Sequence, residues 1–218
     1  MSIQLPVLKA KDFEIISVAE DAGGAGAAGP WIDRAKPTYT VLIDPTHKVS
    51  SLYNLVNVPS AVWINEQGRV LRVDEGTYAS TIKIGSITVG TDDYAPAVRD
   101  WIARGAKSRY VWSPEQVATK IRRRSSDEQL AEPTFKLGVY FFQKQDPERA
   151  RLHWKRAEEL FPDSWNMHRQ DWTFTAEGSG GKSFQEKRKA LGDKPYYAPF
   201  DFPTGLEVPP ASAGPPAR

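Results

Sequence analysis

The chain has 218 residues, none of them cysteine, and its 29 Lys and Arg nearly balance its 27 Asp and Glu. The absence of cysteine excludes disulfides, thiolate zinc sites, iron–sulfur clusters and cysteine nucleophiles within this sequence. A net charge of +2 gives no electrostatic basis for binding nucleic acid or an anionic membrane surface. No apolar run reaches the roughly 18 residues that span a bilayer, and the first residues lack a signal-peptide pattern. We therefore expect a cytoplasmic protein by default.

The first half of the sequence alternates strand and helix patterns. Phe13–Val18 and Tyr39–Ile43 are short apolar runs typical of strands, and the second reads as buried on both faces. Between them we expect a flexible glycine-rich insertion and then a short helix that begins at Pro30. Val49–Leu55 has helical spacing and leads into Val58-Pro59.

A hairpin, a second β-like stretch and an amphipathic helix follow this proline. Ala61–Ile64 and Arg69–Val73 flank a turn that ends at Gly68, which is a typical hairpin signal. Thr81–Val89 alternates apolar and polar residues, whereas Tyr94–Ala103 has the apolar face of a helix. These elements predict an α/β domain over residues 1–108.

From Ser113 onward the sequence predicts helices. Ser113 and Gln116 have the spacing of a capping box, and we expect a solvated helix to continue through Lys120–Arg124. Leu130–Gln143 and Asp146–Leu160 are two further helical patterns.

The composition divides the chain into three parts. The α/β domain is followed by a helical region over residues 109–175. Residues 176–218 are expected to form an extended, largely disordered tail, in which the proline-rich Val208–Arg218 has almost nothing to bury.

The order of elements in residues 13–104 resembles the thioredoxin-like fold, in particular its redoxin branch of thiol–disulfide oxidoreductases and peroxiredoxin relatives. The residues that carry the resemblance are 15–21, 41–70 and Gly76, including Asp44, Tyr53 and Val58-Pro59, which match positions that recur together in that family. The resemblance implies a three-layer α/β thioredoxin-like domain, incomplete at its N-terminus, followed by an all-α helical hairpin extension.

In that family the proline is usually cis, and the backbone before it binds an extended peptide or substrate. The resemblance therefore implies a cis Val58–Pro59 bond and a peptide groove around Val58 and Pro59. From the residues alone, Pro59 could simply begin a strand, where a missing N–H is tolerated.

The family's cysteines lie on a segment upstream of the strand matched by Phe13–Val18. The 12 residues that precede Phe13 are too few for that strand, its cysteines and the following helix. The missing strand is central in the family's sheet, so its loss would expose two strand edges. Three candidates could fill the gap: Thr81–Val89, a partner chain, or an upstream segment lost from this sequence.

Residues 131–164 resemble one copy of a tetratricopeptide repeat. The matching positions are Leu137, Gly138, Phe141, Ala150, Trp154, Ala157 and Pro162. Gly138 and Ala150 would let two antiparallel helices approach closely, with Trp154 filling the space between them. Because one repeat does not bury its own apolar face, we expect neighbouring helical segments to cover it.

Other candidate sites have simpler structural interpretations. The three histidines, His47, His153 and His168, lack the i, i+4 spacing of a metal site, so we expect surface or interhelical positions and no metal. The glycine-rich run after Gly23 lacks the ending of a phosphate-binding loop. Lys120–Arg124 could bind an acidic partner, but a solvated helix face is the simpler interpretation. The seven tryptophans are expected to pack in the core and not to stack on bases.

Three functions are consistent with these patterns. The leading hypothesis is a thioredoxin-like module without redox cysteines, catalytic residues or cofactor that binds a protein or peptide, or assembles with a chain that completes its sheet. The alternative is a fragment of a thiol–disulfide oxidoreductase or peroxide reductase whose cysteine-bearing segment is missing. A third is an adaptor built around the helical repeat. None of them calls for a nucleic-acid or membrane partner.

Overall fold

The structure is a computed structural model that describes residues 13–78, 80–84 and 87–203. Within these residues the chain is of mixed α/β class and forms six strands and eight α-helices. None of the helices in this part is long and apolar enough to cross a membrane. Two predictions lie outside the described residues: the disorder of Val208–Arg218, and the expectation that residues 1–12 hold no complete strand.

The first two strands lie parallel and are joined by a helix. β1 (Ile16–Ala19) and β2 (Thr40–Ile43) pair along their whole length, with Ile16 opposite Thr40 and Val18 opposite Leu42. A parallel pair needs a crossover connection, which α1 (Gly24–Ala35) supplies.

The glycine-rich stretch is helical, so the prediction of a flexible insertion is wrong. α1 begins at Gly24, and Pro30 lies inside it and not at its first turn. The alanines between the glycines have the highest helix propensity of any residue, and burial of Ala28 anchors the helix against the strands.

The predicted hairpin is confirmed. After the short helix α2 (Lys48–Leu52), β3 (Ser60–Ile64) pairs antiparallel with β4 (Val70–Glu75), and Gly68 supplies the positive φ of the turn. Trp63 of β3 is buried against α3 (Tyr94–Arg104).

β5 (Ile82–Ile84) and β6 (Ile87–Val89) pair with each other. The described strands thus form three separate two-stranded sheets. Thr81–Val89 therefore does not fill the expected gap in the sheet.

Helices make up the second half of the described chain. They are α4 (Pro114–Lys120), α5 (Ser126–Gln143), α6 (Pro147–Leu160), α7 (Trp165–Thr173) and α8 (Lys182–Ala190). The predicted capping box at Ser113 is present, and Ser125 and Glu128 form a second one at the start of α5. Short connections make α5 and α6 an antiparallel hairpin, as predicted, around a core that includes Phe135, Trp154 and Phe161.

Two predictions for this half are wrong. Helix α4 ends at Lys120, and the residues after it do not form a solvated helix: the Arg124 guanidinium packs over the Phe161 ring and pairs with Glu132. Residues 176–203 are not a disordered tail, because they contain α8 and an aromatic segment that packs on the α/β half. Side chains such as Phe200 and Phe202 can bury enough area to order a segment without regular structure.

Candidate functional site

The loop at Val58 and Pro59 connects α2 to β3, and its Val58–Pro59 bond is cis, as the resemblance implies. The loop is held from within by the buried Asn57, whose Oδ1 accepts a hydrogen bond from the Val58 N–H at 3.0 Å. At the other side, the Gly76 N–H donates to the Pro59 carbonyl at 2.8 Å. Both chain segments that flank the proline are therefore fixed in position.

Helix α7 supports the same loop from the helical half. The N–H groups of Trp165 and Asn166 donate to the Val56 carbonyl at 2.8 and 3.1 Å. The side-chain amide of Asn166 reaches the Leu55 carbonyl at 3.4 Å. The helical half thereby positions the loop that precedes the proline.

A segment of the chain itself, without regular secondary structure, lies across this loop. We call residues 194–203 the strap. The Tyr197 hydroxyl donates to the Val58 carbonyl at 2.8 Å, and the Asn57 side-chain amide donates to the Tyr196 carbonyl at 3.1 Å. Burial and neighbouring Tyr78 raise the pKa of Tyr197 well above its ordinary value, so the hydroxyl remains a donor at neutral pH.

A glycine makes room for the strap. Gly76 follows β4 with a φ of +64°, and a Cβ at this position would lie 2.9 Å from Cγ of Tyr197. The tyrosine ring thus lies directly on the glycine backbone, and any larger residue would displace it. Beside this contact is a cavity of about 400 Å³ whose lining includes Gly90 and Tyr196.

The strap then passes along β4, with later strap residues beside earlier residues of the strand. The Ala198 N–H approaches Glu75 at the end of the strand at 3.4 Å, and Asp201 pairs with Arg72 three residues earlier in the strand. Phe202 packs edge-on against Tyr110, with ring centroids 5.3 Å apart.

Arg72 is the most enclosed charge of this region, with 1% of its side chain exposed. Its guanidinium donates to Asp74 at 2.7 Å and to the Tyr110 carbonyl at 3.0 Å, and its remaining nitrogen pairs with Asp201. The rings of Trp63, Trp112 and Phe202 surround it, with centroids 4.6–6.0 Å from its central carbon. A buried charge of this kind requires paired carboxylates.

The repeat residues form the close contact between α5 and α6, with one exception. A Cβ on Gly138 would lie 2.3 Å from the Trp154 ring, and Ala150 and Ala157 are fully buried. The Phe141 ring stacks on His153 at 5.2 Å. Pro162 follows the end of α6 as expected. The exception is Leu137, which is 46% exposed on the outer side of α5.

The tryptophans named for the helical half, Trp154, Trp165 and Trp172, are buried, as expected for core residues. The expectation that all seven tryptophans pack in the core is wrong for Trp31, which is 67% exposed on α1, where the Arg34 guanidinium lies over its ring.

Sequence reasoning missed Arg72, the strap and a buried pair formed by His47 and Glu20. His47 Nδ1 lies 3.9 Å from Glu20 Oε2, and neither side chain is more than 7% exposed. Burial raises the pKa of Glu20 and lowers that of His47, which favours neutral forms of both groups. The signals available were an arginine within the apolar strand pattern of β4 and four aromatic residues close together in the strap.

Residues 13–78, 80–84 and 87–203 hold no group of three or more histidine or carboxylate side chains arranged to bind an ion. Comparisons with protein-family models, with curated proteins and with solved structures find no match.

Proposed function

We propose that the protein is a thioredoxin-like binding or assembly module that holds an extended polypeptide segment across Val58 and Pro59, without thiol chemistry. The observation that carries the proposal is the way the proline loop binds the strap. The Tyr197 hydroxyl donates to the Val58 carbonyl, and the Asn57 side-chain amide donates to the Tyr196 carbonyl. A site that accommodates ten residues of its own chain has the shape and the hydrogen-bonding groups to accommodate those of another.

The element order supports the thioredoxin-like part of this proposal. A parallel β1–β2 pair, a helix, a cis proline, an antiparallel β3–β4 hairpin and a helix follow one another as the resemblance implies. The sequence contains no cysteine, so the site retains the binding loop of that family without its nucleophile.

The helical half has a supporting role in this proposal. α7 donates hydrogen bonds to the proline loop, and the Trp165 ring packs against Tyr196 of the strap with centroids 4.6 Å apart. The tetratricopeptide-like hairpin of α5 and α6 packs against α7 and so fixes its position.

Peptide selection on the full-length chain tests the proposal. The selection uses the Tyr197→Ala variant, in which the strap has lost both its ring contact with Gly76 and its hydroxyl. Peptides enriched from a random library should then bind at least about 10-fold more weakly when Gly76→Ala is added, because the new Cβ narrows the groove.

Gly68→Ala is the matched control. Gly68 has a similar φ of +73°, but a Cβ there would have no neighbour within 4 Å. It imposes the same backbone strain far from the groove, so peptide affinity should stay within about twofold of the parent. The absence of enriched peptides, or equal weakening by both substitutions, would contradict the proposal.

A second candidate is a thiol–disulfide oxidoreductase or peroxide reductase whose cysteine-bearing strand comes from sequence outside these 218 residues. The separate pairing of β1 with β2 and of β3 with β4 favours it, as do the exposed strand residues Ile16 (60%) and Ile64 (40%). This candidate would be supported by a native protein whose intact mass exceeds that of the printed chain, together with an upstream open reading frame that encodes a cysteine motif. A native mass equal to that of the printed chain, with no insulin-reducing or peroxide-reducing activity, would eliminate it.

A further inference from the structure

The Arg72 site is built to receive a carboxylate from outside the α/β half. Asp74 neutralises one side of the guanidinium from within β4, and the Tyr110 carbonyl accepts from a second nitrogen. The third nitrogen pairs with Asp201, which the strap supplies from 129 residues away in sequence. Without the strap, this buried nitrogen would lose its carboxylate partner.

A second cation converges on the same carboxylate. Lys120, at the end of α4, pairs with Oδ2 of Asp201 while Arg72 pairs with Oδ1. Partial burial acts to raise the pKa of Asp201, but the two cations outweigh it and lower the pKa below its ordinary value. The two cations belong to different elements, so the carboxylate bridges β4 and α4.

Aromatic residues of the strap flank this carboxylate on both sides. Phe200 and Phe202 contact the Tyr94 ring, with centroids 5.7 and 6.0 Å away. The Phe202 ring also covers the Arg72 guanidinium at 4.6 Å. The surface beneath the strap is therefore complementary to an aromatic–acidic–aromatic sequence.

We propose that this surface recognises an aromatic–acidic–aromatic segment of a partner protein, and that the strap is an internal competitor for the same site. The inference rests on the proposed binding function and adds the chemistry of the partner. The partner's carboxylate takes the place of Asp201 between Arg72 and Lys120, and its two aromatic side chains take the places of Phe200 and Phe202. The strap must leave the site before the partner can bind. The more tightly the strap is held, the weaker the affinity for the partner becomes.

Two labelled peptides and the full-length chain test this inference by fluorescence polarisation. One peptide, KPYYAPFDFP, has the strap sequence, and the other replaces its Asp by Asn. The chain variant Asp201→Asn loosens the strap at the carboxylate alone. Charge-assisted hydrogen bonds of this kind correspond to about a tenfold effect or more, so this variant should bind the acidic peptide about 10-fold more tightly than the wild-type chain does.

Specificity for the acidic residue is measured by comparing the affinities of the two peptides for the same chain. On the Asp201→Asn chain, the Asn peptide should bind about 10-fold more weakly than the Asp peptide, since it lacks the charge between the two cations. Asp193→Asn is the matched control: it makes the same chemical change one residue before the strap. This control should bind both peptides as the wild-type chain does.

The outcomes separate the inference from the function on which it rests. If the two peptides bind the Asp201→Asn chain equally well, and both lose binding when Gly76→Ala is added, the acid specificity is overturned. The proposed peptide-binding function would then still be supported. Failure of both peptides on every variant would overturn both.

A dimer of Asp201→Asn that dissociates on adding peptide would identify a second copy as the occupant and overturn the assignment to a separate partner. The Tyr197→Phe variant provides a second test in case Asp201→Asn does not fold. It keeps Asp201 and loosens the strap only at the Val58 carbonyl, so this chain should bind both peptides more tightly than the wild type, by the same factor.

Discussion

The contact between Gly138 and Trp154 allows a sharp prediction for the helical hairpin. Replacing Gly138 by Ala would place a Cβ 2.3 Å from Cδ1 and Nε1 of the indole, whereas carbon contacts are favourable at about 3.5–4.0 Å. The ring must therefore move by more than 1 Å. It has little freedom to do so, because it lies between α5 and α6 and stacks on Phe174 at 5.4 Å.

Two effects of opposite sign decide the result. Alanine gains about 1 kcal/mol over glycine in a helix, but overpacking a filled core costs about 1–3 kcal/mol. Since the clash involves a rigid ring and not a flexible chain end, we place the cost at the upper limit. Gly138→Ala should therefore lower the free energy of unfolding by about 2 kcal/mol.

Urea denaturation followed by far-UV circular dichroism measures this change, and Gly26→Ala is the control. Gly26 lies within α1 away from Pro30, and a Cβ there would have no neighbour within 4 Å, so this substitution should stabilise by about 0.5–1 kcal/mol. A Gly138→Ala chain as stable as the wild type, alongside a stabilised Gly26→Ala chain, would refute the close packing of α5 on α6.

Three further predictions concern the capping box, the buried arginine and the buried histidine. Ser125→Ala should cost about 1 kcal/mol in urea denaturation, since the Glu128 N–H loses its acceptor; an unchanged midpoint would contradict the capping box. Arg72→Met should cost about 3–5 kcal/mol in the same assay, because it leaves Asp74 buried without a cation, and a loss below 1 kcal/mol would show that Asp74 is solvated. Burial lowers the pKa of His47 in the folded chain below its ordinary value of about 6.5, so the unfolded chain takes up a proton first as the pH falls. The free energy of unfolding should therefore be unaffected by His47 above about pH 6.5 and should decrease as the pH falls through the lowered folded pKa. His47→Asn, which tolerates the same left-handed backbone, should flatten the acid side of a stability–pH profile, and a profile identical to the wild type would refute this role for His47.

Local signals in the sequence predicted local structure well. The turn of the hairpin at Gly68 and the capping box at Ser113 each depend on residues within four positions of one another, and both are present. The antiparallel packing of α5 on α6 was also predictable, because the spacing of Gly138, Ala150 and Trp154 encodes a close approach between neighbouring helices.

The candidate site was predicted only in part, because its second half comes from far away in the sequence. The Val58–Pro59 loop follows from the resemblance, but the Tyr197 hydroxyl that bonds to Val58 is 139 residues distant. The prolines of the tail outweighed its aromatic residues in the sequence interpretation, although Phe200 and Phe202 carry enough apolar area to order a segment. Arg72 was overlooked because a cation in an apolar strand is predictable as buried only once its partner Asp201 is known.

Amide chemical shifts of the isotope-labelled full-length Asp201→Asn chain test the central claim most directly. On titration with unlabelled KPYYAPFDFP, we predict shifts confined to the proline loop, Gly76, Arg72 and the strap, with the strap signals moving toward random-coil values as it is displaced. A titration that leaves Gly76 and Arg72 unchanged, or that shifts residues elsewhere while the strap stays in place, would contradict the claim that this groove binds an extended segment.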